Sequence, residues 1–277
     1  MSKKIITSIL ALATLSFSCS DSKEYFNSIK VAATPIPQAQ MLEYIKPDLA
    51  KQGINLKIIV MDDYNLPNRA LEDGDVDANF FQHKPFLERQ ISQFHYHICS
   101  LANIHIEPMG IYSKKITSLK DLPQDAIVAI PNDPSNEARA LLLLQKAGLI
   151  SLNPEKKDDV TTLDVVNNPQ KIKFQELDAS MLARSLPDVS LAVIPTNFAL
   201  EANIVPKNDA LEMESIDSPY VNVIAVRCEN LNNPSLIALK NAMTSEAMYN
   251  FISTNFKGEL QPAFRIPSSA TAPTSGN

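Results

Sequence analysis

The sequence predicts an α/β protein of two lobes with a ligand cleft between them, and three observations predict it. Short apolar runs alternate with longer stretches of helical period from Ile29 to about Phe256, the pattern of parallel sheets covered by helices. The 277 residues are enough for two ordinary cores. The series also restarts: "SLKDLP" after Ser113 opens a second strand–helix run. One large sheet is the simpler alternative.

Taken in order, "IKVAAT" reads as a strand and "PQAQMLEYIKPDLAKQGI" as a helix stopped near Gly53. "LKIIVMDD" is the next strand, and "LPNRALEDGDV" a short helix and turn. "DANFFQHKPFLERQIS" passes from a brief strand into a helix, and "FHYHICSLANIHIEPMGIYS" is extended. In the second run, strand "AIVAI" leads to a helix with Asp133 as N-cap, Pro134 at its first position and Gly148 as its stop. Strand "IKFQEL", helix "MLARSL" and strand "LAVIP" follow. The extended "SPYVNVIAVR" can carry the chain back to the first lobe, before two last helices. The expected division is 24–109 with 226–264 for lobe one, 110–225 for lobe two, and a disordered polar tail over 265–277. The cleft would lie at the carboxyl ends of the strands, where open α/β sheets bind ligands.

Composition narrows the function. A formal charge of −6 and the lack of any basic stripe speak against nucleic acid as a partner. Six glycines beside 19 prolines disfavour glycine-rich phosphate loops. There is no G-x-S-x-G, H-E-x-x-H, P-loop or dinucleotide fingerprint, so an enzyme is not expected. At the N-terminus, Lys3 and Lys4 precede an apolar run to about Phe17 and small residues around Cys19. That is a secretory signal, too short to span a bilayer permanently. With its terminal cysteine, segment 1–19 resembles a bacterial lipoprotein signal, which implies a lipidated Cys19. Beyond it, Cys99 and Cys228 could form a disulfide or stay as two buried thiols.

Arg139 is the first candidate site residue. A strand-to-helix junction exposes unpaired N–H groups that attract anions, and a guanidinium there adds a two-pronged donor matched to a carboxylate. A surface ion pair with Glu137 is the blander alternative. Asn197, in "VIPTNFALEA", stands just past another strand end, and Asn222 starts a strand after a proline turn; carboxamides there can meet an ammonium or a carboxylate. Phe80, Phe81, His83 and Phe86 cluster in a chain only 6% aromatic. An aromatic wall suits an apolar or thioether side chain, although Phe80 and Phe81 on one strand cannot both face one cavity.

These blocks together carry a resemblance. "LPNRALEDGDVDANFFQHKPFLE", "IEPMGIYSKKITSLKDLP", "AIPNDPSNEARALLLLQKAGLI" and "SPYVNVIAVR" resemble the methionine-binding lipoproteins of bacterial ABC importers, from about Ile29 to Phe264. The resemblance implies a periplasmic-binding-protein-like fold whose two lobes close around a free amino acid, most naturally methionine. It implies delivery to a membrane permease driven by an ATPase, and a location on the periplasmic side of a membrane through a lipid anchor, with no cofactor or metal. Carried over by position, Arg139 would hold the carboxylate, Asn197 and Asn222 the head group, and Phe80, His83 and Tyr64 the side chain. Arg139→Ala would then weaken binding and leave the fold intact. Two other readings stay open: a metal-binding receptor using His83, His95, His97 and His105, all the histidines of the chain, and a surface lipoprotein with no role in transport.

Overall fold

The computed structural model describes residues 27–156 and 159–265. Segment 1–19 with Cys19, and the tail from 266 onward, lie outside the described residues. The first run gives β1 (Asn27–Ala33), α1 (Gln40–Lys51), β2 (Ile54–Val60), α2 (Leu66–Glu72), β3 (Ala78–His83), α3 (Lys84–Phe94) and β4 (Ile98–Ile106). The second gives β5 (Gly110–Tyr112), β6 (Ile127–Pro131), α4 (Pro134–Lys146), β7 (Ser151–Leu152), β8 (Val165–Asn167) and β9 (Lys173–Leu177). It continues through α5 (Leu182–Ser185), β10 (Leu191–Ile194), α6 (Thr196–Glu201), α7 (Pro206–Asp209) and β11 (Glu212–Met213). The described residues end with β12 (Val221–Arg227), α8 (Pro234–Met243), α9 (Glu246–Asn255) and β13 (Gln261–Pro262).

The strands form two principal sheets, one of order β13-β4-β12-β3-β1-β2 and one of order β11-β5-β10-β6-β9, with β7 and β8 pairing separately. β2, β1 and β3 are parallel, as are β10, β6 and β9, because each strand returns through a helix. The division expected between 225 and 226 is corrected here. β12 pairs antiparallel with β3 and β4 along its whole length, from Val221, so Asn222 belongs to the first lobe. A half-strand would leave its backbone groups unpaired. The chain thus passes between lobes after β4 and again before β12.

Each sheet is buried on both faces. In the first lobe Met41, Leu42, Ile45 and Leu49 of α1 pack with Leu236, Leu239, Met248 and Ile252 of α8 and α9 over Val31, Phe80 and Ile224. Leu71 and Leu87 of α2 and α3 cover the opposite face at Ala32, Val223 and Ala225. In the second lobe Leu141 and Leu144 of α4 pack on Val128, Ile130 and Val193, and Leu182, Phe198 and Ala199 of α5 and α6 pack on Ala129, Ala192 and Ile194. No described helix is long and apolar enough to cross a membrane.

Two local features bear on the site. Between β3 and β12 the pairing steps from Val223↔Gln82 to Ile224↔Phe80, leaving Phe81 as the extra residue of a β-bulge. A bulge resets the alternation of side chains. Gln82 accordingly reaches Asn79 at 2.9 Å, although three positions along a regular strand would put them on opposite faces. On the neighbouring strands, Cys99 of β4 and Cys228 just past β12 form a disulfide.

The histidines separate. His95 ends α3 in the left-handed conformation and His97 is exposed, bonded through Nδ1 to Glu72 at 3.0 Å. His83 and His105 lie inside the molecule. Neither His95 nor His97 is on a strand, and no group of three or more His, Cys, Asp or Glu able to hold a metal occurs among the described residues. That corrects the four-histidine metal reading.

Candidate functional site

Between the lobes lies a small cavity, at the kind of junction between domains where small-molecule sites gather. Its first-lobe wall is Tyr64, Phe81, Gln82, His83, Phe86, Glu107 and Asn222; its second-lobe wall is Asn136, Arg139, Pro195, Thr196 and Asn197. On the first side Tyr64, Phe81 and Phe86 meet one another at ring-centre distances of 5.8 Å. Phe81, next to the core-facing Phe80, points to this cluster by ordinary strand alternation. His83 ends β3 and caps α3, its Nδ1 accepting the Phe86 N–H at 3.1 Å. That bond puts the ring proton on Nε2, which donates to Asn136 Oδ1 across the lobes at 3.0 Å. Burial, with Arg139 nearby, pushes the His83 pKa down to about 3, so the ring is neutral in ordinary conditions.

The second side is built at two strand-to-helix junctions. After β6, Asp133 caps α4 by accepting the Asn136 N–H at 2.9 Å. Burial raises its pKa, and the bonds from Asn136 act against that rise. Arg139, one and a half turns on, is buried. Its Nε donates to Glu214 at 2.9 and 3.0 Å, and its Nη2 to Glu214 and to the Glu107 carbonyl. Its guanidinium carbon lies 4.3 Å from the centre of the Tyr220 ring. Burial opposes the charge, but Glu214 outweighs it and raises the pKa. The expected two-pronged grip on a ligand is therefore taken by a protein carboxylate.

After β10, Asn197 is 2% exposed. Its Oδ1 accepts from the Tyr64 hydroxyl across the lobes at 2.6 Å, while its Nδ2 is buried beside the Glu201 side chain without a well-formed bond. Thr196 Oγ1 donates to the Pro108 carbonyl in the first connection between lobes at 2.5 Å. Burial and then Glu107 raise the Tyr64 pKa, keeping the phenol protonated as the donor to Asn197. Glu107 Oε1 accepts from Gln38 Nε2 at 2.6 Å and from His105 Nε2 at 2.5 Å, which fixes a carboxylate on the cavity wall. Asn65 to Asp178 at 3.3 Å, and the Arg89–Asp159 ion pair, join the lobes outside the cavity. The lobes are closed on each other.

The sequence pattern of the NlpA lipoprotein family matches residues 29–264. This chain belongs to the NlpA lipoprotein family. Among its relatives, the D-methionine-binding lipoprotein MetQ of Escherichia coli (strain K12) is 40% identical over 247 residues, covering 87% of this chain and 90% of that protein. Outer membrane lipoprotein 3 of Mannheimia haemolytica is 38% identical over 244 residues, covering 87% and 91%. Among solved structures, a nutrient binding protein from Burkholderia cenocepacia bound to methionine is 46% identical with a TM-score of 0.82, covering 85% of this chain and 100% of that one.

In this NlpA-family chain the structure brings Arg139, Asn197, Asn222, His83 and Tyr64 to one cavity, and excludes Phe80. Phe80 is fully buried in the first-lobe core with its ring edge to His105; the aromatic on the wall is Phe81. Phe81 and Phe86 of the expected aromatic cluster do line the cavity, while Asn136 and Glu107 are site residues that sequence reasoning left out. Asn136 could have been found from its place three residues after the Asp133 cap. Glu214 could not, since nothing in "LEMES" marks a partner 75 residues from Arg139.

Proposed function

We propose that this chain is the extracytoplasmic receptor of an ABC importer that binds free methionine and hands it to the permease. The observation that carries the reading is the buried Asn197 Nδ2, which makes no well-formed bond and lies beside Glu201, in a cavity faced by aromatic rings and by the Glu107 carboxylate. A buried amide donor so loosely held can take a better acceptor from the ligand. The α-carboxylate supplies it, with Arg139 on the same wall, and Glu107 is the counterpart for the α-ammonium. Tyr64, Phe81 and Phe86 then surround a thioether, whose sulfur–aromatic contacts contribute ~0.3–1.5 kcal/mol. A charged side chain would lose its water against those rings and be rejected.

The solved relative described as bound to methionine and the relatives named for D-methionine support this choice of ligand. Lipid attachment at Cys19 would keep the receptor on the periplasmic side of a membrane, beside its permease. The role is capture and delivery, with no catalytic step. Calorimetric titration of the purified protein, first stripped of bound ligand, with L- and D-methionine tests it. Binding of either, with glutamate and lysine inert, is expected; no heat and no melting shift with any amino acid would sink the reading.

A further inference from the structure

On α6, Asn197 Nδ2 and Glu201 Oε1 are buried one helical turn apart, and neither makes a well-formed hydrogen bond. Residues i and i+4 share a helix face, and the two side chains lie against each other as loosely bonded donor and acceptor. Asn197 is held at its other end, where the Tyr64 hydroxyl donates to Oδ1. Its Nδ2 is therefore fixed away from Tyr64 and next to Glu201. Glu201 stands beside this carboxamide and the Ile36 N–H, so it also touches the first lobe.

We infer that Glu201 is a positioning residue for Asn197, and that it takes up a proton when the ligand's carboxylate reaches the Asn197 amide. The inference rests on the amino-acid reading of the cavity. The charges acting on Glu201 from other elements are Asp62, after β2, and Glu107, after β4; both are acidic. The nearby phenol of Tyr64 stays protonated. Burial first, and then Asp62, push the Glu201 pKa up to about 7. A ligand carboxylate on Asn197 adds a further negative charge at close range, while the ammonium end lies at Glu107. The nearer end dominates, and the proton comes from solvent onto a Glu201 oxygen with no other bond made or broken.

Linkage fixes the sign. A ligand that raises the proton affinity of Glu201 is itself bound more tightly by the protonated form. Affinity is then greatest below the free-protein pKa and falls as pH rises through the higher pKa of the complex. A charged Glu201 would instead draw the Asn197 amide toward itself and away from the ligand. His83, held near 3, stays neutral through this range and does not contribute.

The test is titration of the stripped full chain with methionine at pH 7 in phosphate and in Tris, which differ in ionisation heat. The wild type should show buffer-dependent heats equal to uptake of a fraction of a proton. Its Kd should be about tenfold weaker at pH 8.5 than at pH 5.5, the effect of one pKa unit. Glu201→Gln, which keeps the shape and mimics the protonated acid, should bind with buffer-independent heat and a flat pH profile. Buffer-independent heats in the wild type, or unchanged uptake in the variant, would overturn the inference. Two folded proteins that both fail to bind methionine would overturn the cavity reading itself.

Discussion

The two walls of the cavity are made by different means. The first lobe supplies all the rings, Phe81 on β3, Phe86 on the first turn of α3 and Tyr64 on the loop after β2, with Glu107 and Asn222 beside them. The second supplies only polar groups and a proline, from the two junctions where β6 and β10 run into helices: Asn136, Arg139, Pro195, Thr196 and Asn197. Either half alone would be a poor site. The first lobe has no cation to meet a carboxylate, and the amides of the second on an open surface would keep their water. The bonds from Tyr64 to Asn197 and from His83 to Asn136 close the halves together, so desolvation and hydrogen bonding arrive in one step. In that water-poor space each polar contact is stronger than in solvent.

The comparison breaks most visibly at Arg139. Because its fork is paired with Glu214, Arg139→Ala should do more than remove a ligand contact. It strands a nearly buried carboxylate, and breaking such a pair costs about 3–5 kcal/mol. Loss of methionine binding together with a large fall in Tm is expected, in place of the intact fold that the sequence suggests. A variant that melts like the wild type would show the Glu214 pairing to be dispensable.

The next largest effect separates two adjacent phenylalanines. Phe80→Ala opens a hole in the first-lobe core and should cost about 3–5 kcal/mol of stability, with Kd changed little in the protein that remains folded. Phe81→Ala should do the reverse, weakening methionine binding by roughly tenfold, equivalent to about 1.4 kcal/mol, with the smaller loss of Tm. If both variants change Kd equally, the strand does not sort these rings as described.

His83 sharpens the contact between the walls. Its folded pKa, near 3, lies below its unfolded value of ~6.5. As pH falls below about 6.5 the unfolded chain takes up a proton that the native state refuses, and stability is lost progressively toward pH 3. His83→Gln cannot titrate, so the stability of wild type relative to the variant should decline on going from pH 7 to pH 4. Parallel Tm curves across that range would mean that His83 is charged in the native protein.

Much of this was legible beforehand. The alternation of runs gave the two α/β lobes, and the Asp133-Pro134 start of α4 was read from its capping chemistry. Arg139, Asn197 and Asn222 were each placed near a strand end, and strand ends are where such folds gather their ligands. Parity alone does not say which ring meets the cavity. Phe80 and Phe81 point to opposite faces, and what packs on each face decides between them: the helices α1, α8 and α9 over Phe80, the second lobe across from Phe81. Asn222 went to the wrong lobe for a related reason: a strand's sheet is decided by its neighbours and not by its own apolar run.

By itself the sequence determined the local matters: where strands and helices begin, that the chain restarts a second α/β series, and which polar residues stand at junctions able to hold a head group. These follow from backbone propensity, capping and periodicity, which act over a few residues. Only the tertiary structure decided that Arg139 answers to Glu214, that Cys99 meets Cys228, that Phe81 and not Phe80 faces the cavity, and that Asn197 meets Tyr64 across the lobes. Each of those depends on the distance between segments far apart in the chain, and a hydrogen bond or a ring contact is lost within about an ångström of misplacement.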